Sequence, residues 1–94
     1  MQNKLNWKNE YSNDLFETIL KLKNIDQANN FFRDLLTEKE IIEFSQRWRA
    51  AKMLNKKVSY KEIEAETGLS STTIARIHKW LKYGTGGYKL MIDK

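Results

Sequence analysis

Apolar residues recur every three or four positions through most of the chain, and no useful stretch alternates as a half-buried strand does. Leu15, Phe16, Ile19, Leu20 and Leu22 predict a first helix over about residues 11–23, with Asp14 and Glu17 near its positive end. Asp26 is the expected N-cap of a second helix, whose apolar face is Ala28, Phe31, Phe32, Leu35 and Leu36. "TEKE" reads as a capping box: Thr37 bonds the amide of Glu40, and the Glu40 side chain reaches back. A third helix follows over residues 38–55, with Ile41, Phe44, Trp48, Ala51 and Leu54 as its inward stripe. Residues 1–10 carry no such pattern and read as a polar arm.

The next segment, "SYKEIEAETGLSSTTIARIHKWL", joins two short helical patterns through one glycine. Ser59 and Glu62 form a second expected capping box, opening a helix over about 60–66. Gly68 can take the left-handed conformation that a tight turn requires. Ser70 or Ser71 then caps a helix ending near Tyr83. Ile63 lies five residues before Gly68, Leu69 one after, Ile74 six after and Ile77 nine after. These offsets are those of a helix-turn-helix, whose second helix is free to enter the major groove of DNA. Two positions depart from the pattern: Glu64 stands where a small residue is usual, and Thr67 where an apolar one is. The tail "GTGGYKLMIDK" begins as a glycine-containing turn and ends apolar enough to dock, as helix or as strand.

Charge strengthens the nucleic-acid reading. The 94 residues carry a net charge of +5, but residues 1–45 hold 6 Lys/Arg against 8 Asp/Glu, and residues 46–94 hold 11 against 4. The basic excess therefore lies with the helix-turn-helix, which favours a polyanionic partner, double-stranded DNA. Ser70, Ser71, Thr72, Arg76 and Lys79 are expected on the outward face of the second helix, with Ser59 and Lys61 at the start of the first. Small hydroxyl side chains at a helix N-terminus suit close approach to phosphates and base edges. Arg76 has the fork that matches a guanine edge.

These residues, with "LLTEKE" and "RWRAAKML" upstream, resemble the Trp repressor family of DNA-binding proteins. The "GTGGYKLM" tail resembles the YerC-type branch of that family. The similarity covers about residues 11–83 and is strongest over 35–54 and 59–76. It implies an all-α fold of five to six helices with a C-terminal helix-turn-helix, and an intertwined homodimer built on the N-terminal helices. It also implies a palindromic DNA site, one helix-turn-helix per half-site. In the namesake repressor tryptophan is the corepressor, and its pocket maps onto Thr37, Arg47 and Arg76. The glycine that makes room for the indole there is Ile77 here, so this chain is expected not to depend on tryptophan. Only eleven residues follow Tyr83, so any sixth helix must be short or missing.

Other chemistry is sparse. Without cysteine and with a single histidine, His78, a metal site is not expected, and His78 reads as an exposed helix residue. No nucleophile–His–acid set and no phosphate-binding glycine loop is present, so no enzyme activity and no cofactor is expected. The first residues lack the apolar run of a signal peptide and no segment is apolar enough for a membrane span, which points to a soluble cytoplasmic protein. The reading is a single domain over 1–94: arm to residue 10, dimerisation helices 11–55, helix-turn-helix 59–83, tail 84–94. Its function is that of a dimeric DNA-binding transcription regulator of the repressor kind. The alternative is a helix-turn-helix used for protein interaction or for a non-regulatory DNA task.

Overall fold

The computed structural model describes residues 6–94, and their regular structure is entirely helical: α1 (Glu10–Ile19), α2 (Ile25–Leu35), α3 (Glu38–Asn55), α4 (Tyr60–Thr67), α5 (Ser71–Tyr83) and α6 (Gly87–Asp93). The chain divides into two compact units, one ending at Leu36 and the other spanning Thr37–Lys94. The expected polar arm, residues 1–10, lies partly outside the described residues.

In the first unit, α1 starts at a complete capping box in which Asn9 accepts from the Ser12 amide and Ser12 reaches back. It ends earlier than the apolar spacing predicts. Lys21 and Leu22 donate to Thr18 and Ile19, three residues back, so the helix tightens and stops before Lys23. The cap of α2 is Asn24, not Asp26: Asn24 is extended and accepts from Gln27, and the helix is under way at Ile25, one residue before the aspartate. Neither helix has a buried residue. Trp7 meets Phe16 edge to face, as does Phe31 with Phe32, yet Leu20 is 84% and Ile25 73% exposed.

The second unit holds the core. α3 has the predicted bounds and the predicted box, with Thr37 accepting from the Glu40 amide and Glu40 accepting from the Thr37 amide. Its buried positions are Ala50, Ala51 and Leu54. Phe44, expected inside, is half exposed, because α4 and α5 pack on the C-terminal half of α3, where the two alanines allow close approach. Ile63, Ile74 and Ile77 are fully buried against that surface. Trp48 is half-buried at the core's edge, stacked on Tyr88 of α6 at 6.3 Å, with the Lys52 ammonium over its ring.

α3 ends without a glycine. Val58 N–H bonds Met53 C=O and Lys57 N–H bonds Leu54 C=O, which is a Schellman motif. Its left-handed position is Lys57, at φ 64, the one non-glycine residue with positive φ among those described. Lys57→Gly is expected to stabilise the protein by about 0.5–1 kcal/mol, the left-handed strain relieved less the added chain entropy. A thermal melt should show the midpoint several degrees higher; a lower midpoint contradicts this account of the cap.

Candidate nucleic-acid interface

α4 and α5 form a helix-turn-helix. Ser59 caps α4, accepting from the Glu62 amide at 3.2 Å. The box is only half made, because the Ser59 hydroxyl donates to the Glu62 carboxylate, drawing it away from the cap's backbone. α4 runs one residue past its predicted end, to Thr67. Gly68 takes φ 78, and a side chain there would meet nothing closer than Gln46 at 3.9 Å, so backbone conformation rather than space calls for glycine. Ser70 caps α5, accepting from the Thr73 amide and donating to the Thr73 hydroxyl. The two departures from the sequence pattern find physical accommodation. Thr67 is buried, but its hydroxyl donates to Ile63 C=O at 2.7 Å and accepts from Leu69 N–H at 3.2 Å, so no polar atom is stranded. Glu64 is exposed.

The turn is held on three sides. Ile74 and Ile77 anchor α5 in the core. Arg49 of α3 donates to Glu66 of α4 at 2.6 Å, an exposed pair that orients more than it stabilises. Tyr60 of α4 and Nδ1 of His78 on α5 share a 2.8 Å hydrogen bond, their rings edge to face. His78 is therefore half-buried and bonded, not the free surface histidine its sequence position indicates. The signal was the spacing of Tyr60 and His78 to either side of the turn, which a helix-turn-helix brings together.

With one face of α5 buried, Ser70, Ser71, Thr72, Arg76 and Lys79 all lie exposed, as do Ser59 and Lys61 on α4. The Ser59 and Ser70 hydroxyls already serve as caps, which leaves Ser71 and Thr72 as the first-turn hydroxyls without that duty.

Of the expected effector residues, Thr37 acts as the α3 cap. Arg47 is half-buried, pairs with Glu43 at 3.6 Å, and keeps a buried Nε without a partner. Tyr88 is close enough to feel the Arg47 charge; burial pushes its hydroxyl above the ordinary tyrosine value, and the guanidinium partly offsets this. Ile77 is fully buried among the core residues. The tail forms a seven-residue helix, α6, entered through Gly86 at φ 93. It contacts α3 and α5 and sets Tyr88 and Ile92 against the core. Among the described residues no group of three or more potential ligands could hold a metal, and no helix is long and apolar enough to cross a membrane.

All-helical regular structure among the described residues, with α4 and α5 forming a helix-turn-helix and a basic exposed face on α5, is that of the helix-turn-helix class of DNA-binding proteins. The Trp repressor protein family model matches residues 10–94, and the chain belongs to that family of DNA-binding regulators. It is 41% identical over 80 residues to the uncharacterized protein YerC of Bacillus subtilis (strain 168), covering 85% of this chain and 77% of that protein. A TrpR-like protein from Eubacterium eligens ATCC 27750 superimposes with a TM-score of 0.88 at 41% identity, over 92% of this chain and 89% of that one. A candidate Trp repressor from Staphylococcus aureus gives 0.88 at 34% identity, over 99% and 93%.

Proposed function

We propose that the protein is a dimeric, sequence-specific transcription regulator that represses by occupying a palindromic DNA site. The observation that carries the reading is the division of α5: Ile74 and Ile77 lock one face into the core, while Ser71, Thr72, Arg76 and Lys79 lie exposed. Ser71, Thr72 and Arg76 approach base edges or adjoining phosphates. Ser59, Lys61 and Lys79 hold the backbone, with Ser70 at the helix start beside them. Dimerisation is supported by α1 and α2, which bury no residue of their own and leave Phe16, Leu20, Ile25 and Leu35 open. A face this apolar on so short a chain calls for a partner surface, and a second copy supplies it symmetrically. Light scattering at micromolar concentration should give about twice 11.2 kDa; a stable 11.2 kDa species overturns the dimer. DNA binding itself is tested by titrating a fluorescent duplex at rising salt: affinity should fall steeply, and a salt-insensitive or absent response removes the reading.

Regulation proceeds without tryptophan. Ile77, at the position where the resemblance puts the glycine that makes room for an indole, is fully buried among the core residues, and a packed core resists overfilling by about 1–3 kcal/mol. Calorimetry with millimolar tryptophan should show no saturable heat. A micromolar constant that is lost on Arg47→Ala contradicts this reading of Ile77.

A further inference from the structure

A cavity of about 460 Å³ is bounded by the end of α3, the α3–α4 turn, the start of α4 and the second half of α5. That size falls within the roughly 300–1,000 Å³ of small-molecule sites. Leu54, Val58 and Leu81 supply apolar wall. Lys57 and Lys82, both exposed, line it from two different elements, and the Tyr60–His78 pair adds a fixed hydroxyl and imidazole. Among the described residues its lining carries no carboxylate. The larger groove, about 590 Å³ beside α6, differs in kind: Trp80, Tyr88, Met91 and the glycine turn line it, and no charged side chain among the described residues does.

Lys57 gives the cavity its second mark. It occupies the left-handed position of the α3 cap, where glycine is the residue that fits without strain. A bulky residue held in strained backbone on the lining of a cavity is an arrangement met at ligand sites. The imidazole adds to this. Its Nδ1 is committed to Tyr60, so Nε2 is the ring's remaining polar atom for a ligand. The wall chemistry selects the ligand: an apolar body to lie on Leu54, Val58 and Leu81, and an anionic head for the two lysines.

We propose that this cavity binds a small organic anion, a carboxylate carried on an aromatic or branched aliphatic body. The site is separate from Thr37, Arg47 and Arg76, and it stands or falls independently of DNA binding. Because the Tyr60–His78 bond joins α4 to α5 along its wall, a bound anion also sits where it can alter the angle between them.

The test uses the full chain without DNA, labelled with nitrogen-15 and titrated with phenylacetate, indole-3-acetate and 4-methylpentanoate, each beside its neutral amide. At least one carboxylate should shift the amides of residues 55–60 and 78–82 saturably, with a dissociation constant on the order of 1 mM or tighter. Its amide should bind about tenfold more weakly, the loss of one charge-assisted contact. Lys57→Gly with Lys82→Gln should lower affinity by a further order of magnitude or more, whereas Lys39→Gln, on the exposed start of α3, should leave it unchanged. Lys57→Gly keeps the turn geometry, so a native amide spectrum separates loss of binding from loss of fold. No saturable shift from any of the three acids, equal binding by acid and amide, or indifference to the double substitution overturns the proposal.

Discussion

Ile77→Ala should cost the fold roughly 2–5 kcal/mol, the range for truncating a buried isoleucine, out of a total of about 5–15 kcal/mol for a domain of this size. The side chain is fully buried against Ala50, Ala51, Leu54, Ile63 and Ile74, a cluster with two alanines and little bulk to collapse into the space left behind. The loss should exceed that of any exposed α5 substitution and should lower the denaturation midpoint without changing the slope of its dependence. A loss under 1 kcal/mol would mean that Ile77 is not the anchor of α5. The substitution reaches function through the same contact, since α5 takes its position from Ile74 and Ile77.

Arg76→Ala has the largest expected effect on DNA binding: about 1–3 kcal/mol at a selected site, with relaxed preference at one base position. Arg76 is exposed on the face opposite Ile74 and Ile77, so its removal should leave the melting temperature almost unchanged, in contrast to Ile77→Ala. Lys61→Ala provides the comparison. A lysine holding a phosphate should weaken all sequences alike and reduce the salt slope by about one. If both substitutions leave affinity for the selected site intact, another face of the protein meets the DNA.

Where a local signal was sufficient, the residues carried the answer. The Thr37–Glu40 box and the apolar period define α3 to both its ends, and Gly68 with Ile63, Ile74 and Ile77 defines the turn and its anchors. Other features depend on competition between signals. Asn24 and Asp26 are both good caps, and only the closure of Asn24 onto Gln27 decides between them. α3 carries apolar residues over more than one face, so its period cannot tell that Ala50 and Ala51 go inside while Phe44 stays half exposed. "NKKVS" holds no glycine, and a left-handed Lys57 is invisible until the Schellman bonds are seen. α6 is the clearest case. A seven-residue segment is too short to be helical by propensity alone, and the apolar contacts of Tyr88 and Ile92 are what hold it.

The central claim is that two copies of this chain read one palindromic site through α5. Selection from a random duplex pool, with recovered sites sequenced, tests it most directly. The account predicts enriched sites made of two inverted half-sites whose centres lie about 34–36 Å apart or at a multiple of that spacing, with enrichment lost on Arg76→Ala. A pool that stays unenriched while binding remains strong and salt-dependent, or sites with a single half-element, would contradict it.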